Sequence, residues 1–558
     1  MMWPLSLCAT DSAQVQLVID VSDLCVDYGC DGETPNDSRR DGGATFPGPL
    51  RMADVLTRIA FAFFLALWAL TLTGCSGSSS PSSSSNPTPA GNPVGANLTQ
   101  VSSDPYTIAP GQHATEVEPH MAANGSTLVA AFQTGRISGG GATDIGWATS
   151  TDGGTVWSHG FLPGLTKGEG TGLYDAASDP VVAYDAKHGV WMIASLPLSN
   201  TAKTPAVVVS RSTDGLTWGN PIGVDPTAAS SDKNWIVCDS WASSPHYGNC
   251  YVEWDDPVNS GEILMSTSND GGLTWGVATP TANAVQGIGG QPLVQPNGTV
   301  VVPLETNAMS AFSSTDGGAS WKASVTISNV QFHGDAGGIR SGPLPSAAVD
   351  GAGTMWVVWE DCRFRSSCST NDLVYSTSTD GVNWSAVTRI PIDTPSSTVD
   401  HFIPGIGIDP ATSGAGAHVA LHYYYYPQSD CTASTCQLFV GYISSANGGA
   451  TWNSPVALTG AMLLAWLPSS QNGLMVGDYI ATAFTNGVPH GVFAVASPVS
   501  GTTFSEATYT GQGLTAMAAG RQLSSAGDKP LHNLSDKIER EQPERGMIPP
   551  SRRRRSAK

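Results

Sequence analysis

The chain has 558 residues, a formal charge of −21, only 13% charged residues, 63 Gly and 16 Trp. So acidic a chain repels phosphate backbones, which argues against nucleic acid as a partner of the folded body. Sparse charge with abundant Gly and Trp suits many short strands joined by tight turns, so an all-β fold is expected.

Residues 59–72, IAFAFFLALWALTL, form an apolar run of secretory length behind Arg58, too short for a comfortable membrane span. Leu72-Thr73-Gly74-Cys75 follows and resembles a bacterial lipobox, which implies lipidation of Cys75 and an exported body anchored to the membrane, facing the periplasm or the outside. An uncleaved anchor helix is the alternative. A signal normally opens a chain, so residues 52–75 are expected to be the signal peptide and 1–51 a mis-assigned extension. Residues 76–98 are Ser/Pro-rich and read as a tether that cannot build a core.

Past the tether a turn motif of the form S-x-D-x-G-x-T-W recurs six times: Ser150–Trp157, Ser212–Trp218, Ser268–Trp275, Ser314–Trp321, Ser378–Trp384 and Ser445–Trp452. The second and fifth copies are one residue short. The acidic position is Asp152, Asp214, Asp270, Asp316 and Asp380, with Asn447 in the sixth. Ser and Asp side chains bond backbone amides across such a turn, Gly supplies the unusual backbone angles, and Trp plugs the edge of the hairpin. The motif is therefore structural. β-rich segments precede each copy in constant order, as in EPHMAAN, STLVAAFQ and DIGWATS, so each unit predicts strands A, B and C, the turn, then a strand D.

Four-stranded antiparallel sheets repeated radially make a β-propeller, expected over 99–515. GLMVGDYIATAF, HGVFAVAS and FSEATY read as a further unit without the turn motif, whose outer strand comes from LTQVSSDPYTI near the N-terminus. Seven blades are favoured, with six as runner-up. Tyr423 to Tyr426 alternate faces on one strand, which places about half of them in packing contacts. Cys238 with Cys250, Cys362 with Cys368, and Cys431 with Cys436 are expected as local disulfides in an exported protein. Residues 516–558 read as a solvated basic tail.

Strand direction puts the D-to-A and B-to-C loops on one face, where carboxylates and arginines gather around the mouth. Arg136, Arg340, Arg363, His401 and Asp478 are the candidate ligand-binding residues, suited to a polyhydroxylated or carboxylate ligand. Any one of them is as readily a loop-holding pair. No P-loop, nucleophile elbow or zincin pattern is present, and no Cys or His spacing suits zinc. No cofactor is expected; calcium at a loop carboxylate cluster stays open.

The boxes, with GSTLVAAFQTGR ahead of the first, resemble the sialidase superfamily of Asp-box propellers. The resemblance implies an active-site-proximal role for Arg136, and a tyrosine nucleophile with a glutamate partner, for which Tyr479 with Glu305 or Glu360 is the candidate. Where the family has Arg-Ile-Pro on its first inner strand this chain has Val117-Glu118-Pro119; its own Arg389-Ile390-Pro391 follows the fifth box. The leading expectation is a glycan-binding propeller. A glycoside hydrolase using Glu360 or Asp361 with Asp400 is the alternative, and a non-catalytic envelope scaffold the third.

Overall fold

The computed structural model describes residues 92–200, 204–225 and 231–511. All belong to the second of two compact units, 85–558. The expected extension, signal peptide, Cys75 and basic tail lie outside the described residues, as does the tether as far as residue 91.

Alternating apolar residues bounded by Gly-rich turns produce four-stranded antiparallel sheets in chain order. The first sheet is Gln112–Asn124, Thr127–Arg136, Ala142–Ser150 and Ser158–Phe161; the second is Ala176–Asp185, Val190–Leu198, Val207–Ser212 and Ile222–Val224. The third is Asp232–Cys238, Cys250–Asp256, Glu262–Ser268 and Thr279–Pro280; the fourth is Leu293–Val294, Val300–Glu305, Met309–Ser314 and Val325–Ser328. The fifth is Ser346–Val349, Met355–Asp361, Asp372–Ser378 and Thr388–Arg389; the sixth is Asp400–Ile408, Val419–Tyr426, Gln437–Ser445 and Val456–Ala457. The last has Ala481–Thr485, Val488–Ala496 and Glu506–Gly511, and its outer strand is Leu98–Gln100 from the start of the described chain. Leu98 and Val94 pack on the core, so the end of the expected tether is part of the folded body.

The apolar core is divided into wedges between neighbouring sheets. Val129, Trp147, Trp191 and Val208 fill the space between first and second, and Phe402, Tyr424, Val440 and Phe493 that between sixth and last. Met121, Leu128, Ala481 and Val492 fill one between last and first. Both faces of the sixth sheet are covered, so all four tyrosines are buried: Tyr424 and Tyr426 in one wedge, Tyr423 and Tyr425 in the other. Counting half of them as packed underestimated a sheet that has no solvent face.

Each box turn seals such a wedge. In the fourth, Ser314 Oγ donates to Asp316 Oδ1 at 2.8 Å and accepts from Gly318 N at 3.0 Å, while Asp316 Oδ1 accepts from Ser320 N at 3.0 Å. These donors, the Ser320 hydroxyl foremost, hold the Asp316 carboxyl down to about 2. Asn447 Oδ1 accepts from Thr451 N at 2.8 Å in the same way, so the turn needs an acceptor and not a charge. The tryptophans reach further than their own hairpins: Trp321 lies between third and fourth sheets beside Tyr251, and Trp218 between first and second. A Cβ on Gly215 would meet Val129 at 3.0 Å, so the box glycine lets one sheet settle on the preceding one.

Disulfides join Cys238–Cys250, Cys362–Cys368 and Cys431–Cys436, the mark of an oxidising compartment. Among the described residues no helix is long and apolar enough to cross a membrane, which says nothing of strands.

Wedge sealing and turn bonding make separable contributions. Trp321→Ala should destabilise the fold by about 3–5 kcal/mol through the cavity left between two sheets. Asp316→Asn should change the urea midpoint little, and Asp316→Ala should cost about 1 kcal/mol, the scale of a lost capping side chain.

Candidate functional site

The axial residues owe their placement to a repeated backbone irregularity. The first strands of the first, second, third and sixth sheets each lose register at the same point, at Val117/His120, Ser178/Val181, Asp232/Trp235 and Phe402/Gly405. Within each gap one non-glycine residue is left-handed: Glu118 (φ 55°), Asp179 (φ 50°), Lys233 (φ 47°) and Ile403 (φ 48°). Such bulges re-aim side chains at a backbone cost of about 1–3 kcal/mol each. Here three of them bring ionisable groups together.

Lys233 Nζ contacts Asp478 Oδ2 directly and lies 3.8 Å from both Glu118 Oε1 and Asp179 Oδ2. Arg340 grips the same Asp478 carboxylate through two nitrogens, Nε to Oδ1 at 2.6 Å and NH2 to Oδ2. Gln133 carries the network outward by donating to Glu118, and its Oε1 accepts from Arg136 NH1 at 3.0 Å. Lys233, Glu118, Asp179, Arg340 and Arg136 are buried. Burial opposes charge on Asp478, but the Arg340 and Lys233 cations outweigh it and hold its carboxyl far below the ordinary range. Asp478 raises Lys233 well above its usual value in return.

A second cluster lies where the fifth and sixth sheets meet. Arg365 and Arg389 both contact Asp372, at 2.6 and 2.7 Å, and both contact Asp393. His401 is buried, with Nδ1 3.3 Å from Asn371 O and Nε2 3.9 Å from Asp393. Asp372, Asp393 and His401 hold ligand-type atoms within 4.8 Å of one another. Two guanidinium groups already balance the two carboxylates, so a cation would have to displace one of them.

Beside it, the buried Asp400 and Asp335 carboxyls act on each other electrostatically. Asn371 N donates to Asp400 at 2.6 Å, Ser341 Oγ to Asp335 at 2.5 Å, and Asn371 Nδ2 to Asp335 at 3.2 Å. Burial pushes Asp335 up to about 7 and Asp400 well above its ordinary value, and the charge of Asp335 adds to the rise on Asp400. Arg365 and Tyr426 also act on the pair; Tyr426 OH, buried and cross-strand from Asp400, has no hydrogen-bond partner among the described residues.

The sequence-derived candidates thus fall into three groups. Arg340 and Asp478 meet each other, with Arg136 at the edge of their network. Arg363 binds Asp361 through Nε at 2.8 Å and NH2 at 2.7 Å, and Asp361 also accepts from Trp359 Nε1. His401 and Asp400 adjoin the arginine cluster. Glu360 is fully buried, Glu305 partly exposed, and Tyr479 OH donates to Pro180 O at 3.0 Å. Asp335 was missed because it sits in a long loop without strand pattern. Asp393 was missed too, although its i+4 spacing from Arg389 was a visible signal.

Beyond the Lys233 network, toward the A-to-B turns, the axis opens into a cavity of about 350 Å³ lined by a segment from every sheet, among them His120, Trp235, Gln291, Ser346 and Thr482.

No known protein family and no curated protein matches the sequence. Similar solved structures include a Hadza microbial sialidase, 15% identical with a TM-score of 0.38 over 72% of this chain and 66% of its own. An ulvan lyase is 10% identical with a TM-score of 0.43, over 74% of this chain and 96% of its own. A protein of unknown function from Dyadobacter fermentans is 16% identical with a TM-score of 0.40, over 63% of this chain and all of its own. Similarity at this level carries nothing about chemistry, which has to come from the side chains.

Two measurements probe these clusters. Asp478→Ala strands two buried cations and should destabilise the protein by about 3–5 kcal/mol in urea unfolding. The Asp335–Asp400 pair has raised folded values, so its stabilisation is complete below the ordinary carboxylate range and is lost as pH rises through about 7. Amide exchange over residues 333–341, corrected for intrinsic rate, should therefore quicken between pH 5.5 and 8.5, and Asp335→Asn should remove that dependence.

Proposed function

We propose that this chain is an exported, lipid-anchored, seven-bladed β-propeller that binds a glycan on the face where the D-to-A and B-to-C loops emerge, without cleaving it. The blade count is supported by the cyclic order of contacts, each first strand lying against the next and Ala481–Thr485 returning to Gln112–Asn124. Export is supported by the three disulfides, and the lipid anchor by the lipobox-like tetrad at Cys75.

The observation that carries binding over turnover is the commitment of Lys233 and Arg340 to Asp478. Both cations are neutralised from within, so among the described residues neither is available for a carboxylate clamp of the kind the sialidase resemblance implies. The Asp400 carboxyl is likewise engaged from within, accepting from Asn371 N at 2.6 Å. Glu305, Arg363, Gln471 and Asn472 are partly or fully exposed on these loops and give the face polar groups suited to hydroxyl recognition.

The purified protein should retain defined glycans on an array while leaving fluorogenic sialosides and a broad glycoside panel uncleaved. Turnover abolished by Asp400→Asn or Glu360→Gln would establish the hydrolase reading instead. Absence of both binding and turnover would favour the envelope scaffold.

A further inference from the structure

The neutral half of the axis is built differently from the charged half. Among the described residues that line the 350 Å³ cavity there is no Asp, Glu, Lys or Arg, although the chain carries a formal charge of −21. An ion placed there would lack compensation, so the cavity selects against charge.

Two of its polar side chains have their orientation fixed by backbone amides. His120 Nδ1 accepts the Val182 N–H at 3.0 Å, which puts the ring proton on Nε2. Burial pushes His120 down to about 3, so the ring stays neutral. Gln291 Oε1 accepts the Ala347 N–H at 3.0 Å, which turns its NH2 group away. Neither His120 Nε2–H nor Gln291 Nε2 meets a hydrogen-bond partner among the described residues. Both belong to the cavity lining, as does Trp235, whose ring stands 4.8 Å from His120 and 5.2 Å from Tyr479 in edge-to-face contacts. Exposed Asn124 and Ser240 lie at the rim.

We propose that this cavity is a binding site for one small, uncharged, hydroxyl-bearing molecule of the neutral-hexose class, held by the N–H donors of His120 and Gln291 beside the indole of Trp235. A hexose supplies acceptors for both donors and a C–H face for the aromatic wall, and the volume falls at the lower end of the roughly 300–1,000 Å³ of small-molecule sites. The site is independent of the glycan reading for the opposite face, because the Lys233–Arg340–Asp478 network separates the two.

Saturation-transfer NMR and calorimetry on the purified full chain, with glucose, galactose, mannose and glucuronate as probes, test the site. Saturable binding of at least one neutral hexose is expected, with glucuronate at least tenfold weaker. His120→Phe keeps the bulk and removes the donor, and Gln291→Met does the same for the amide; each should weaken binding by about tenfold. The His120 Nε2 resonance of histidine-labelled wild-type protein should shift on titration, a readout that survives failure of either variant to fold. Lys322→Ala, at an exposed position with no place in either site, should leave hexose affinity unchanged. No saturable binding by any neutral hexose, equal binding of glucuronate, an unmoved His120 resonance, or a loss in Lys322→Ala as large as in His120→Phe would each overturn the proposal.

Discussion

The first strand of each sheet has only one side paired within its own sheet, and its other backbone edge must be satisfied near the axis. Neighbouring sheets splay apart there, so side chains take over where backbone rungs cannot reach. His120 accepts from Val182 N, Gln291 from Ala347 N and Ser346 from Ile406 N, while Thr482 donates to Gly405 O at 2.6 Å. These cross-sheet bonds tie the sheets into one body. They also fix the orientation of the side chains that line the cavity, so ring closure and the proposed recognition share the same residues.

The charged half follows from that geometry together with the bulges. A left-handed residue at one repeated position turns Glu118, Asp179 and Lys233 to a common point, and Arg340 and Asp478 join them from loops. Buried ion networks add little net stability against a well-packed apolar alternative, but losing a single partner is expensive. Such a network defines one arrangement of the inner strands more than it strengthens the fold. It also uses up the cations that a carboxylate-recognising enzyme would need, which is why the binding reading is favoured.

The Asp335–Asp400 pair differs in kind. Burial raises both of its acids, and its bonds to Asn371 and Ser341 fasten a loop rather than a sheet. The same loop carries Arg340 into the axial network, so protonation at one edge and ion pairing at the axis act on one segment of chain.

Local pattern and tertiary placement divide the account. Alternation, box spacing and paired cysteines are properties of short segments, so strands, turns, disulfides and the outer strand drawn from Leu98–Gln100 were legible in the residues themselves. Even so, the box tryptophans act between sheets and the four consecutive tyrosines are all buried, because each sheet is covered on both faces and no single segment records its neighbours. The site was less legible. Sequence placed Arg340, Asp478, Asp400 and His401 on one face, but whether a charge meets solvent or another charge depends on bulges and distances of a few ångströms between residues up to 360 positions apart, such as Glu118 and Asp478. Only the folded chain decides that, because the energy of a buried charge is set by what surrounds it in space and not by what adjoins it in sequence.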